Sequence, residues 1–190
     1  SYQLPATNAV AMREAIADNK RKAAIASAYA RRTPTETIGY YKKALEIEDE
    51  NNLYKYYLAI AYDRIGKQDI TEDLLNEILD SGEEMAEAYN YLGYMYLEKD
   101  KKIEKAVQYI EKAIELEPEN GAYLDSLAWA YYKKGNLDEA FEAITKAVEV
   151  LPSNSIIRDH LADILYKQGH LEKAISEWGK ALNSMKGTKR

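Results

Sequence analysis

Residues 121–154 decide the fold of this chain, and they read GAYLDSLAWAYYKKGNLDEAFEAITKAVEVLPSN. Apolar residues recur three and four positions apart on both sides of Gly135-Asn136, so the segment predicts two amphipathic helices joined by a turn. Pro152 follows the second helix, where a residue without a backbone N–H ends the helix and leaves its hydrogen bonds intact. The segment therefore predicts a helical hairpin.

The same pattern returns every 33 to 35 residues along most of the chain. The copies share a small residue at the eighth position, namely Ala59, Gly93, Ala128 and Ala162. They also share Ala at the twentieth position, namely Ala140 and Ala174, and Ala106 matches it after one extra residue in the Lys99–Ile103 loop. Small residues at fixed positions let two helices approach closely, while larger neighbours fill the space beside them. We divide the chain into a basic and apolar N-terminal extension (1–18), an array of five units (19–51, 52–85, 86–120, 121–154 and 155–188) and a tail (189–190).

This pattern resembles the tetratricopeptide repeat (TPR), whose signature is W-x2-L-G-x2-Y, then A-x3-F, then P in 34 residues. The resemblance implies an all-α fold, a right-handed α-α superhelical solenoid of about five TPR helix pairs that bury their apolar faces against their neighbours. The first unit departs from the signature, because Lys22 replaces a large residue and Thr37 a small one. A long helix over Ala9–Arg31, capped near Thr7 or Asn8, is an alternative there. A coiled coil is excluded, since Gly and Pro interrupt the sequence every 15 to 20 residues.

Composition excludes several classes of function. The 190 residues include no cysteine, which excludes a disulfide framework, a thiolate metal site and a cysteine nucleophile. No apolar run approaches the roughly 18 residues of a membrane-spanning helix. Residues 1–32 carry six basic and two acidic side chains, whereas residues 33–190 carry 20 basic and 30 acidic ones, so the body of the chain is acidic. The body also lacks the clustered Lys and Arg that bind nucleic acid.

Tyrosine is the dominant aromatic residue, with 17 copies against one Phe and two Trp. One set of tyrosines falls at a packing position on the first helix of each unit: Tyr29, Tyr62, Tyr96 and Tyr131. A second stripe lies about 140° around the same helix, and the TPR resemblance implies that this stripe lines a concave groove. From it we take the candidate partner-binding residues Tyr56, Asn90, Tyr94, Asp125, Trp129, Tyr132, Lys133, Asp159, Asp163 and Tyr166.

These residue types suit a groove that binds protein. Trp and Tyr are the side chains that most often anchor a bound peptide, and the three Asp residues favour a partner that carries Lys or Arg. Two alternatives stay open: the aromatic residues pack against the first helix of the adjoining unit, or each Asp is simply a solvated carboxylate. The Lys and Asn residues with which some TPR domains clamp the C-terminal carboxylate of chaperones are absent, because the corresponding positions hold Tyr56 and Ile60, or Ala122 and Ser126.

No pattern in the sequence points to catalysis. The two histidines are His160 and His170, and the chain has no H-E-x-x-H motif, no G-x-S-x-G elbow and no Gly-rich phosphate loop. A metal cluster of His160 with Asp159 and Asp163 is disfavoured, because adjacent helical residues point about 100° apart and a third strong ligand is not evident. We expect no enzyme activity, no metal and no cofactor.

The leading hypothesis is a non-catalytic scaffold that binds a peptide or helical segment of a partner protein in the concave groove. One alternative is self-assembly, in which the extension 1–18 docks in a neighbouring protomer, and another is the accessory TPR region of a longer enzyme. The last helix carries Ile175, Trp178 and Leu182, so either its polar side chains cap the array or a second protomer covers it. The last two units look most like TPR proteins of bacterial envelopes, which favours a periplasmic or envelope location, with the cytoplasm as the alternative.

Overall fold

The structure of the protein is a computed structural model that describes residues 33–100 and 102–187. Within these ranges the chain forms nine α-helices and no strand: α1 (Pro34–Leu45), α2 (Asn52–Asp63), α3 (Gln68–Asp80), α4 (Ala86–Glu98), α5 (Ile103–Leu116), α6 (Gly121–Lys134), α7 (Leu137–Val150), α8 (Ser155–Lys167) and α9 (Leu171–Gly187). None of these helices is both long and apolar enough to cross a membrane. The extension 1–18, the predicted helix over Ala9–Arg31 with its cap, and the tail 189–190 lie outside the described residues.

The helices confirm the all-α fold class. Neighbours in the chain pack as hairpins, α4 on α5, α6 on α7 and α8 on α9, and each hairpin contacts the next one through α5 on α6 and α7 on α8. In addition, α4 contacts α6, and α6 contacts α8. Stacked hairpins that contact only their neighbours are the architecture of a helical solenoid.

Asparagine caps set the starts of several first helices. The side-chain oxygen of Asn154 accepts hydrogen bonds from the backbone N–H groups of Ile156 at 2.9 Å and Ile157 at 3.3 Å. Asn51 and Asn120 cap α2 and α6 with their own side-chain oxygens. Such a cap satisfies backbone donors that have no partner inside the helix, and it therefore fixes the residue at which the helix begins.

The turn inside the α4–α5 hairpin differs from the others. Between α6 and α7, Gly135 takes a φ of 81°, a left-handed conformation that suits a residue without Cβ. The α4–α5 turn is longer and has no glycine, and Asp100 and Lys102 adopt the left-handed conformation there with φ of 49° and 51°. This turn brings Asp100 Oδ1 to 2.7 Å from Nζ of Lys133 on α6. The irregular turn thus supplies an ion pair between two hairpins.

The contacts divide the chain into two compact units, residues 1–74 and 75–190. In the first unit, described from residue 33, α1 packs on α2, and the buried ring of Tyr41 stacks on Tyr57 with 5.6 Å between ring centroids. The hydroxyl of Thr71 donates a hydrogen bond of 3.1 Å to the carbonyl oxygen of Ala59, which ties the start of α3 to α2.

In the second unit the small residues are buried where the repeat pattern places them. Ala128, Ala140 and Ala162 are fully buried. A Cβ on Gly93 of α4 would come 2.9 Å from the backbone carbonyl oxygen of Ala106 on α5. The close helix approach expected from the sequence is therefore confirmed. Larger apolar side chains complete this core: Ile144, Ile157, Leu161, Ile164 and Leu165.

The last helix, α9, exposes apolar side chains on its outer side. Four of them are more than half exposed: Leu171 (53%), Ile175 (58%), Leu182 (57%) and Met185 (55%). Glu177, one of the polar residues of this helix, pairs with Arg158 and Lys180. Polar side chains alone therefore do not cover the outer side of α9.

Candidate functional site

The candidate site lies on the first helices of the three hairpins in the second unit. These helices, α4, α6 and α8, contact one another in order, so side chains on one can reach the next. Nine of the ten candidate residues lie on them: Asn90 and Tyr94 on α4, Asp125, Trp129, Tyr132 and Lys133 on α6, and Asp159, Asp163 and Tyr166 on α8. Tyr56 lies on α2 in the first unit, where its ring contacts Tyr57 at 5.6 Å between centroids.

The centre of the site is a pair between Asp125 and His160. Asp125 Oδ1 lies 2.8 Å from His160 Nδ1, and both side chains are only 12% exposed. The alternative that Asp125 is a solvated carboxylate is therefore wrong. Burial lowers the pKa of His160, but the hydrogen bond and the negative charge of Asp125 outweigh it, so the pKa is raised overall. The pair joins α6 to α8.

The ring of His160 also stacks on the candidate anchor Trp129. The two ring centroids are 4.5 Å apart with an angle of 16° between the planes, and Trp129 stacks as well on Tyr132 at 4.9 Å and 11°. Trp129 therefore packs against the first helix of the next unit, which is one of the two alternatives left open by the sequence. Its indole N–H is buried and donates no hydrogen bond to any described residue. Trp129 is thus packed between α6 and α8, and only part of its indole ring remains exposed.

On α4, the candidate residues Asn90 and Tyr94 are partly buried. Burial, followed by the charges of Glu98 and Asp125, raises the pKa of Tyr94 to about 12, so its hydroxyl stays protonated and can donate. The side-chain oxygen of Asn90 is buried and accepts no hydrogen bond from a described residue. Lys133 is not a free cation, because its Nζ pairs with Asp100 and lies 5.9 Å from the centroid of Trp129.

The α8 side of the site is the most accessible part. Tyr166 is 58% exposed, with its ring 5.8 Å from that of Trp178, and Asp159 is also exposed. The indole N–H of Trp178 donates to Asp163 Oδ1 at 3.2 Å. Burial and the neighbouring charge of Asp159 raise the pKa of Asp163. Asp159, Asp163 and Tyr166 recur at helical spacing, so this edge presents one exposed carboxylate, Asp159, and one partly buried carboxylate, Asp163, beside one open aromatic ring.

The histidines take no part in a metal centre among the residues that the structure describes. His160 uses Nδ1 for Asp125, which lies on a different helix from Asp159 and Asp163. His170 is exposed in the turn before α9. Across residues 33–100 and 102–187, no three His, Cys, Asp or Glu side chains come together in a way that could hold an ion.

Sequence reasoning missed two partners in this site, His160 and Asp100. Both pairs follow the repeat: Asp125 and His160 are 35 residues apart, and Asp100 and Lys133 are 33 apart. Oppositely charged or hydrogen-bonding side chains about one repeat apart are the signal that would have found them, since neighbouring units place nearly equivalent positions side by side.

Comparison with known proteins agrees with this architecture. A family model described as tetratricopeptide repeat matches residues 56–121. A second model, described as anaphase-promoting complex, cyclosome, subunit 3, matches residues 99–181. No curated protein matches the chain.

Several solved structures share the fold. TTC0263, a thermophilic TPR protein in Thermus thermophilus, is 18% identical with a TM-score of 0.71, over 84% of this chain and 87% of that chain. MamA 41-end from Desulfovibrio magneticus RS-1 is 20% identical with a TM-score of 0.70, over 85% and 90%. A crystal structure of MamA is 24% identical with a TM-score of 0.65, over 80% and 88%. Repeat spacing, helical hairpins and the family model over residues 56–121 agree, and the chain has the fold of a tetratricopeptide repeat protein, an all-α helical solenoid.

Proposed function

We propose that this protein is a non-catalytic scaffold that binds a peptide or helical segment of a partner protein on the surface formed by α4, α6 and α8. TPR solenoids are in general protein-interaction scaffolds whose stacked repeats create extended binding surfaces. The observation that carries the proposal is the open edge of this surface on α8. There Tyr166 is 58% exposed beside the exposed carboxylate of Asp159, and tyrosine joins a wide apolar ring to a polar hydroxyl, the features of a side chain that anchors a bound peptide.

The partner segment is expected to carry Lys or Arg. Asp159 and Asp163 lie at helical spacing with Tyr166, and an aromatic ring next to carboxylates suits a cation through both cation–π attraction and ion pairing. The buried Asp125–His160 pair and the Trp129 stack keep this edge rigid, which lowers the entropy lost when a partner binds.

The test uses peptides selected from a displayed random library on the immobilised protein. Tyr166→Ala and Asp159→Lys should each weaken the selected peptides by about 1–3 kcal/mol, roughly 5- to 150-fold, with little change in thermal stability. Phe141→Ala is the matched control, because Phe141 is an exposed aromatic residue on the second helix α7. If the selected peptides lack basic residues, or if the Phe141 variant loses as much affinity as the Tyr166 variant, the proposed surface is wrong.

Self-assembly through the extension 1–18 stays a prediction from charge, since that segment lies outside the described residues. The proposed envelope location also stays a prediction from resemblance.

A further inference from the structure

The outer side of α9 carries an apolar seam that no described residue covers. We define the α9 seam as Leu171, Ile175, Leu182 and Met185, each more than half exposed. With the partly buried Trp178 between them, these residues follow spacings of four, three, four and three. This is the spacing of a seam that packs against another helix over two heptads.

The size of the seam marks it as an interaction surface. The four side chains together expose on the order of 400 Å², which is as large as the largest apolar patch on a typical monomer. Two copies of the seam would bury on the order of 800 Å² of apolar surface, and with a polar rim the interface reaches about 1,200 Å², the lower end of specific interfaces. A second copy of the chain therefore supplies the area that a weak dimer needs.

The flank of the seam allows close and symmetric contact. Gly179 lies midway along this flank, and a Cβ on it would meet no atom of the same chain within 4 Å. If two antiparallel helices cross level with Gly179, Ile175 of one copy lies level with the segment between Leu182 and Met185 of the other, so large side chains of the two seams meet beside a small residue.

Charge does not oppose this pairing. Along the same flank, Ser176 and Asn183 are neutral, and the charged residues in the sequence are Glu172 and Lys186. In the antiparallel arrangement the two Glu172 residues lie at opposite ends, about 21 Å apart at 1.5 Å per residue over 14 residues. That separation exceeds the Debye length of about 8 Å at physiological salt, so their repulsion is screened.

We propose that the α9 seam is a homodimer interface, in which α9 of two copies packs antiparallel about a two-fold axis beside Gly179. This pairing uses a different surface from the one formed by α4, α6 and α8, and it needs no partner protein. It also differs from assembly through the extension 1–18.

The first test is sedimentation of the full chain over a dilution series that reaches high micromolar concentration. We expect a reversible monomer–dimer equilibrium whose dissociation constant rises at least about tenfold in Leu182→Glu, because the charge would be buried in the interface. Val150→Glu is the matched control, since Val150 is an exposed apolar residue on α7, and it should leave the equilibrium unchanged. A chain that stays monomeric throughout, or a dimer that Leu182→Glu does not weaken, overturns the proposal.

The second test is disulfide cross-linking, which the absence of cysteine makes unambiguous, because a single introduced cysteine can only link two chains. Gly179→Cys should form the linked dimer more readily, since Gly179 lies beside the two-fold axis and the two introduced cysteines come nearest to each other there. Glu172→Cys, on the same flank of the same helix, should link poorly. If Glu172→Cys links better than Gly179→Cys, the helices are not antiparallel and the proposal fails.

Discussion

Substitution of Gly93 by Ala tests how closely α4 and α5 approach. A Cβ at this position would lie 2.7 Å from Cγ1 of Ile110 and 2.9 Å from the carbonyl oxygen of Ala106. Ordinary carbon contacts are about 3.5–4.0 Å, so the helices would have to separate by roughly 0.5–1 Å, which forfeits a quarter to a half of the dispersion attraction between the atoms that line the contact. The oxygen belongs to the backbone and cannot rotate away.

The expected magnitude combines two opposing terms. Ala is favoured over Gly by about 1 kcal/mol inside a helix, whereas overpacking costs about 1–3 kcal/mol and more when backbone must move. We therefore expect the free energy of unfolding of Gly93→Ala to fall by about 1–2 kcal/mol, measured by urea denaturation with circular dichroism. Gly39→Ala is the control, because Gly39 lies inside α1 with no atom within 4 Å of its Cβ position, and it should gain about 0.5–1 kcal/mol.

The comparison of these two glycines can refute the packing described for α4 and α5. If Gly93→Ala is as stable as the native protein or more stable, the two helices do not approach as closely as the structure shows. The eighth position of the third unit would then have the same tolerance for Ala as the other units, which carry Ala59, Ala128 and Ala162 there.

Two further predictions concern the second unit. Because the pKa of His160 is raised in the folded state, the stabilisation from its protonated form is fully present below the unfolded value of about 6.5 and is lost as pH rises through the folded value. Melting temperatures measured from about pH 6 to 9 should therefore fall more steeply for the native protein than for His160→Gln, and parallel curves would show that Asp125, Asp159 and Asp163 do not act on this imidazole. Asn154→Ala should lower the free energy of unfolding by about 1 kcal/mol, because two backbone N–H groups of α8 lose their acceptor. Denaturation of Asn154→Asp should show most of that loss restored, and no recovery would mean that the cap is not the source.

Much of the fold could be predicted from the sequence because its determinants are local. The helices α6 and α7 follow from apolar spacing and from the turn at Gly135-Asn136, and both require only the geometry of one chain segment. The burial of Ala128 and Ala140 follows from the repeat, since small residues at fixed positions let the two helices of each unit approach closely.

The candidate site could be predicted only in part, because its details depend on how far each hairpin turns relative to the next. Asp125 lies on the stripe that the sequence assigned to the groove, yet its carboxylate is buried against His160. A rotation of a few degrees between α6 and α8 decides whether such a side chain meets water or a neighbour, and no local pattern encodes that angle. Trp129 is a second example, since its stack on His160 depends on the same angle.

The Asp125–His160 pair makes the order of the units matter for protein engineering. Repeat proteins are often lengthened by duplicating one unit, on the assumption that every junction is equivalent. If residues 121–154 were duplicated in place of residues 155–188, the position that holds His160 would hold the residue equivalent to Ser126. The carboxylate of Asp125 would then be buried beside a short hydroxyl in place of an imidazole, and a buried charge that loses its partner is strongly destabilising. Recombination at this junction therefore has to move Asp125 and His160 together, because the contact between the two units needs both residues.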